Sequence, residues 1–242
     1  MNMAIRPPCS EEIPYFSRQC PALYDKTGYV GCLEGWFDQA DTIFYSWEEG
    51  TYKQNLLHTE KFAKSLENTL AELRKGPLKS WTALRKYCNA HPDYAYDNLQ
   101  QKYRFRLDTD GYTYMFRCSF QSWGNSLYMY AYSTPLLERY MSEARSGLPI
   151  LDLQGKERFR MPNGGKVRNR QGMPYEWELR YYDKEHVVLL DDNGVGLVYS
   201  IKELPEWEDK HMLRFMPLDP PMDSVRSDDK TDRKPKTKGL ER

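Results

Sequence analysis

The sequence predicts an α+β protein, because two kinds of hydrophobic periodicity follow one another along its 242 residues. Between Thr59 and Lys75 the apolar residues recur every three or four positions, as they do on the buried face of a helix. Between Tyr103 and Cys118 they alternate with polar residues, as they do in strands that bury one face. Antiparallel strands beside packed helices are typical of the α+β class. We therefore predict an α+β domain over residues 1–147.

Two helices are predicted before the alternating segment. The first covers residues 59–75 and ends at Gly76–Pro77, a pair that does not continue a helix. The second begins after Ser80, which is a typical N-cap residue, and ends near Asn89 because Pro92 prevents its continuation.

The antiparallel sheet is predicted from turns as well as from alternation. Asp110–Gly111 is a strong hairpin signal between two alternating runs, and Leu127–Tyr132 supplies a further strand. An earlier short strand is predicted at Gly28–Leu33, between turn residues. Thr134–Pro135 provides an N-cap and first-turn pair for a helix that ends at Gly147.

Residues 148–217 predict a small β-rich domain, folded as a small barrel or a curled sheet. The expected turns are Asn163–Gly165 and Asp192–Gly194, because these residues tolerate the positive φ of hairpin turns. Strands are predicted around Phe159, around Val167, and at Glu176–Tyr182, Val187–Leu190 and Leu197–Ile201. Residues 218–242 are rich in charged residues and poor in apolar ones, so we predict a disordered charged tail.

Composition limits the possible partners and the compartment. Lys and Arg number 35, as do Asp and Glu, so no overall positive charge favours nucleic acid or an anionic membrane. The sequence has no apolar run of about 18 residues and no segment resembling a signal peptide at its start. The five cysteines are odd in number and widely spaced, which favours free thiols over a disulfide framework. We predict a cytoplasmic protein that does not associate with membranes.

Catalytic and metal-binding motifs are weak. Cys88 and His91 have no second pair at zinc-finger spacing, so no metal site is predicted. Gly164–Lys166 lacks the first glycine of a phosphate-binding loop, and a turn explains it better. We therefore expect a non-enzymatic protein without a cofactor; the alternative is a hydrolase or nuclease whose site is assembled from scattered residues.

Two basic clusters are the main candidates for binding. If the hairpin buries its aromatic residues, alternation places Arg104, Arg106 and Arg117 together on its other face. A second cluster follows, with a spacing that predicts one face of a second hairpin. Its candidate residues are Arg158, Arg160, Lys166, Arg168 and Arg170. Both clusters suit phosphate groups or an acidic protein, while the alternative is a solvated face whose arginines pair with nearby acids.

Three tyrosines form a further candidate surface. Tyr128, Tyr130 and Tyr132 lie on one face of the strand predicted at 127–132. Such a row is compatible with cross-strand packing, with a protein interface, including a homodimer, or with base stacking.

The opening of the chain resembles uncharacterised accessory proteins carried by conjugative elements and phages of gut Firmicutes. The resemblance runs from Arg6–Cys9 through Ile13–Phe16 to Tyr29–Leu33 and covers roughly the N-terminal half, and Phe159–Lys166 is similar to short β-modules of such proteins. It implies an accessory protein that binds a host protein or ribonucleoprotein complex, for example an inhibitor of a defence nuclease such as an anti-CRISPR protein. It assigns no functional residues, and nucleic-acid binding through the arginine faces is the alternative.

Overall fold

A large antiparallel sheet forms the N-terminal part of the fold in our computed structural model. The structure describes residues 4–7, 20–37, 41–47, 57–122, 124–168, 176–191, 196–210 and 214–215. The strands are β1 (Ala4–Arg6), β2 (Tyr29–Phe37), β3 (Ile43–Trp47), β4 (Ala95–Asp97), β5 (Lys102–Asp108), β6 (Tyr112–Gln121) and β7 (Gly124–Ser133). Their order is β1-β5-β6-β7-β2-β3, and β4 also pairs with β5. The predicted hairpin and the strand after it are therefore confirmed.

Helices lie on both sides of this sheet. They are α1 (Tyr24–Thr27), α2 (Glu60–Lys75), α3 (Trp81–Asn89), α4 (Thr134–Ala144) and α5 (Leu204–Asp209). The two predicted helices are confirmed as α2 and α3. In each, the side-chain hydroxyl of the N-cap residue accepts a hydrogen bond from a backbone N–H group of the first turn. Thr59 Oγ1 accepts from Phe62 N at 3.2 Å, and Ser80 Oγ accepts from Ala83 N at 3.1 Å.

The helix predicted after β7 is also present, with a different N-cap. The N-cap residue is Ser133, and Thr134, the predicted N-cap, is the first residue of the helix. The Ser133 side chain makes no capping hydrogen bond. The Thr134 hydroxyl instead lies 3.0 Å from the Thr113 hydroxyl on β6. This bond ties the start of α4 to the sheet. After the helix, Gly147 has a φ of +72°, and a Cβ there would lie 2.7 Å from the Met161 carbonyl oxygen, so glycine is required.

A small antiparallel sheet forms the C-terminal part. Strands β10 (Gly165–Arg168), β11 (Glu176–Tyr181), β12 (His186–Leu190), β13 (Gly196–Ser200) and β14 (Arg214–Phe215) are arranged in the order β13-β12-β11-β10-β14. Strands β8 (Leu148–Leu151) and β9 (Glu157–Met161) pair only with each other among the described strands. The predicted strands are confirmed. The described strands form open sheets, so the prediction of a barrel-like module is corrected to an open sheet beside a hairpin.

The turn predicted at Asn163–Gly165 does not connect a hairpin. It leads from β9 to β10, which belong to different sheets, so the predicted second hairpin is wrong. Its polar groups bind β11 instead: Gly164 N donates to Leu179 O at 2.8 Å, and Asn163 Oδ1 accepts from Tyr181 N at 2.8 Å. Strands β12 and β13 do pair across the segment containing Asp192–Gly194, although that turn lies outside the described residues.

Two buried clusters hold these layers together. One lies between α2, α3 and the large sheet, and includes Phe62, Trp81 and Phe105. The other joins the opposite sheet face, α4 and the small sheet, and the Tyr140 hydroxyl donates to Tyr181 O across it at 2.7 Å. This second core spans the boundary predicted at residue 147. The division into 1–147 and 148–217 stays a prediction.

Several other predictions can be placed. Cys20, Cys32, Cys88 and Cys118 are buried free thiols, as expected, and Cys9 lies outside the described residues. The charged tail at 218–242 also lies outside them. None of the described helices has the length and apolar composition needed to cross a membrane. The cytoplasmic location stays a prediction.

Candidate binding surface

The two faces of the large sheet differ in what covers them. Cross-strand register sets Arg104 opposite Arg117, and Arg117 opposite Tyr128 on the next strand. Because side chains alternate along a strand, these three residues share one face. Their strand neighbours Phe105 and Phe116 point the other way, into the core beneath α2 and α3. The predicted grouping of Arg104 with Arg117 is therefore confirmed.

Each of these arginines lies over a tyrosine ring. Arg104 Cζ is 3.8 Å from the centroid of the Tyr96 ring, and Arg117 Cζ is 5.8 Å from that of Tyr128. The Tyr128 and Tyr130 rings stack at 6.3 Å with 20° between their planes. Arg104, Arg117 and Tyr128 are half-buried, so part of each remains in contact with solvent. We call the surface formed by Tyr96, Arg104, Arg117 and Tyr128 the arginine–tyrosine face.

This arrangement suits recognition of a second molecule. A guanidinium can stack on an aromatic ring, and its planar set of N–H donors suits carboxylates, carbonyls or phosphates. Stacking also restricts the side chain before binding, which lowers the entropy lost on association.

Arg106 lies on the same face but inside the protein. Its side chain is only 3% exposed, and its Nε donates to Asp108 Oδ1 at 2.7 Å. A further contact of 3.8 Å joins it to Glu138 on α4. The predicted binding role of Arg106 therefore has no accessible guanidinium to support it. Its burial comes from α4, which packs over this end of the sheet.

The tyrosine row is likewise divided by burial. Tyr132 is fully buried and packs edge-on against Tyr29 at 5.5 Å. Tyr130 is half-buried, and burial raises the pKa of its phenol far above the usual value. Tyr128 is half-buried and belongs to the arginine–tyrosine face. At one end of the row Tyr132 belongs to the core, and at the other end Tyr128 belongs to the surface.

Asp108 is the acceptor that keeps Arg106 in place. It accepts from Arg106, from Arg6 Nε at 3.1 Å and from the Thr113 hydroxyl at 2.9 Å. Burial opposes ionisation of the Asp108 carboxyl, but these hydrogen bonds outweigh it and lower its pKa.

We expect Asp108→Asn to lower the free energy of unfolding at pH 7 by about 1–2 kcal/mol, discounted for partial exposure. The folded pKa lies below the unfolded value of about 3.9, so this stabilisation is complete above about pH 5. It is lost as the pH falls through the folded pKa. Urea unfolding of both proteins at pH 7, 5 and 3 should show the difference shrinking only at pH 3. An equal difference at all three values would contradict the assignment.

The second basic cluster is not a single surface. Arg158 and Arg160 lie on β9, whereas Lys166 and Arg168 lie on β10 in another sheet, and Arg170 lies outside the described residues. Carboxylates accompany three of these cations. The pairs are Arg158 with Glu208, Arg160 with Glu157 at 2.9 Å, and Lys166 with Glu178 at 3.9 Å. Arg160 also donates to Ser146 O at 3.0 Å, in the turn that follows α4.

Two hollows lie elsewhere on the surface. One, of about 380 Å³, is bordered by Arg158 and Glu208, and the other, of about 300 Å³, by Glu143, Arg160 and Tyr181. Their arginines are engaged in the ion pairs just described. The described residues include no group of three His, Cys, Asp or Glu side chains placed to hold a metal ion.

Tyr96 is the member of the surface that sequence analysis missed. It lies on the three-residue strand β4, which follows a short 3-10 helix at Pro92–Tyr94. The available signal was a tyrosine pair, Tyr94 and Tyr96, spaced two residues apart just before the alternating segment. Such spacing is typical of a strand, but three residues are too few to predict one.

No protein-family model matches this chain, and searches of curated proteins and of solved structures also found no match.

Proposed function

We propose that this protein is a non-enzymatic accessory protein of a mobile genetic element, and that it binds a host protein complex through the arginine–tyrosine face. The resemblance of its N-terminal half to accessory proteins of conjugative elements and phages supports an origin in a mobile genetic element. A host defence nuclease is the partner class we propose, so that the protein acts as an anti-CRISPR-like inhibitor.

The stacking of Arg104 on Tyr96 is the observation that carries the binding role. Arginine and tyrosine are among the residues most often responsible for binding energy at protein interfaces. They act best where rings and guanidinium groups are held rigidly and are partly desolvated. Arg104, Arg117 and Tyr128 meet these conditions on adjacent strands of a sheet whose opposite face is packed against helices.

The charge distribution favours a protein over nucleic acid. Binding to nucleic acid depends on phosphate contacts made by cations that are not neutralised by the protein itself. Four of the cations predicted for this role form ion pairs with carboxylates, and the whole chain has a net charge of zero. A partner that offers mixed polar and apolar groups suits the arginine–tyrosine face better.

The test is capture from host lysate that has been treated with nuclease. Tagged wild-type protein is compared with the double variant Arg104→Ala/Arg117→Ala, and retained proteins are quantified by mass spectrometry. The matched control is Lys61→Ala/Lys64→Ala, which removes two exposed cations from α2 on the opposite side of the sheet. We expect the control to retain the partner and the arginine variant to weaken its binding at least about 10-fold.

Two results would contradict the proposal. If both variants retained the partner equally, the arginine–tyrosine face would not be the binding surface. Complete loss of partners on nuclease treatment, with salt-dependent binding of a labelled single-stranded oligonucleotide, would instead support the nucleic-acid alternative.

A further inference from the structure

A run of residues without any carboxylate joins the last turn of α2 to the turn after α3. It covers residues 73–92, and it contains five Lys and Arg side chains, whereas acidic and basic residues balance at 35 each over the whole chain. All five are exposed to solvent: Arg74, Lys75, Lys79, Arg85 and Lys86. This part of the molecule therefore has a positive charge that the composition of the whole chain does not show.

Helix α3 directs its polar side chains to solvent. Trp81, Leu84 and Cys88 are buried in the core beneath the large sheet, and the exposed positions recur at helical spacing on the other side of the helix. The exposed residues of α3 are Thr82, Arg85, Lys86 and Asn89. Lys79 is exposed at the end of the 3-10 helix that precedes α3. We call the surface formed by Lys79, Arg85 and Lys86 the α3 basic surface.

The lysines of this surface are not neutralised by the residues that the structure describes. Among those residues, no carboxylate forms an ion pair with Lys79 or Lys86. Two carboxylates of the same region already have partners: Asp41 Oδ1 accepts from Thr82 N at 2.9 Å, and Glu72 pairs with Lys75. Both lysine ammonium groups can therefore bind an anion without breaking a described ion pair.

Arg85 is held in place although it is exposed. Its Nη2 donates to Gln101 Oε1 at 2.6 Å, and its Cζ lies 5.6 Å from the centroid of the Phe120 ring. Within the described part of the chain its Nε and Nη1 make no hydrogen bond, so these N–H groups remain for a partner. A guanidinium that is already restrained loses less entropy when it binds an anion.

We propose that the α3 basic surface binds the phosphate backbone of a nucleic-acid duplex, independently of base sequence. Lysine, arginine, threonine and asparagine side chains are the groups that contact phosphates in protein–nucleic acid complexes. Thr82 and Asn89 provide the polar groups beside the cations on α3. The surface is separate from the arginine–tyrosine face, because α3 packs against the opposite side of the large sheet.

The residue types of this surface favour phosphate groups over other anionic partners. Lysine is depleted in protein interfaces, whose centres are apolar and aromatic, and the exposed residues of α3 include neither kind of side chain. Binding in a membrane surface also requires apolar side chains that insert. A single strand would be held by rings on which its bases stack, whereas Tyr87 is half-buried and packs against His91 and Tyr94.

Fluorescence anisotropy of labelled duplexes of about 20 base pairs, DNA and RNA of the same sequence, tests the proposal with the full chain. We expect a Kd of about 1–100 µM at low salt, with a similar affinity for both duplexes because only phosphates are contacted. Three phosphate contacts predict that binding to DNA weakens about 40-fold between about 50 and 200 mM salt.

The double variant Lys79→Ala/Lys86→Ala should weaken binding to the DNA duplex at least about 10-fold at low salt. Its plot of log K against log salt should lose about 2 units of slope, because two phosphate contacts are removed. The matched control Lys184→Ala/Lys202→Ala removes the same charge from exposed turns of the small sheet and should bind like wild type. All variants should keep the native circular dichroism spectrum, since the four lysines are exposed.

Three results would overturn the proposal. Wild-type protein might bind neither duplex at low salt, or both lysine pairs might weaken binding equally, which would indicate an effect of net charge alone. The third is binding to vesicles of phosphatidylserine and phosphatidylcholine without binding to either duplex, which would assign the surface to a membrane. The Arg104→Ala/Arg117→Ala variant should bind both duplexes like wild type, so this test is independent of the proposed host partner.

Discussion

Phe116→Ala is expected to lower the free energy of unfolding by about 3–5 kcal/mol. Phe116 is fully buried in the centre of β6 and stacks on Phe105 with 4.5 Å between ring centroids. Removing the ring leaves a cavity between the large sheet and the helices α2 and α3, and the strands on both sides prevent the cavity from collapsing. Urea unfolding followed by tryptophan fluorescence measures the loss.

Two control variants accompany this measurement. Phe116→Leu keeps most of the volume and should cost less than the alanine variant. Leu99→Ala removes a side chain that is 98% exposed and should change stability by less than about 0.5 kcal/mol. A loss of under about 1 kcal/mol in Phe116→Ala would show that the packing between sheet and helices is not the main source of stability.

The elements that sequence analysis predicted correctly depend on local interactions. Helices α2 and α3 begin at Thr59 and Ser80, whose side chains accept backbone N–H groups three residues ahead. The β5–β6 hairpin follows from alternation and from a two-residue turn signal. In each case the deciding contacts lie within a few residues of one another, so a single sequence contains them.

The elements that were predicted incorrectly depend on distant partners. Asn163 and Gly164 have the composition of a hairpin turn, but their hydrogen bonds go to Leu179 and Tyr181 on β11. The conformation of this turn therefore depends on contacts with β11, which is distant in sequence. The prediction of a barrel-like module likewise included the strand around Phe159, but that strand, β9, pairs with β8 and not with the small sheet.

The candidate surface was predictable in part for the same reason. Period-two alternation places Arg104 and Arg117 on one face, and the register of the hairpin brings them opposite each other. Alternation places Asp108 beside Arg106 on the same strand, but it cannot show that α4 covers Arg106, because Glu138 reaches Arg106 from a separate element. Sequence therefore identified the face, and tertiary packing determined which of its arginines remain accessible.

Arg180→Met should lower the free energy of unfolding by about 3–5 kcal/mol, because it leaves a buried carboxylate without its main partner. The Arg180 side chain is 1% exposed, and its Nε hydrogen-bonds to Glu178, which is 11% exposed on the same strand. Without Arg180, the nearest remaining cation to Glu178 is Lys166, whose Nζ lies 3.9 Å from Oε2. Burial also raises the pKa of the neighbouring Tyr140 phenol to about 12, as expected of a site from which water is excluded.

The double variant Glu178→Leu/Arg180→Met separates the cost of an unpaired charge from the value of the pair. Desolvation of two ions can equal their attraction, so the double variant should recover most of the stability lost in Arg180→Met. Arg139→Met is the matched control: its side chain is 70% exposed and pairs with Glu143 on α4, so it should cost less than about 1 kcal/mol. If the double variant were as unstable as Arg180→Met, the pair itself would stabilise the fold. In that case hydrophobic side chains could not replace Glu178 and Arg180.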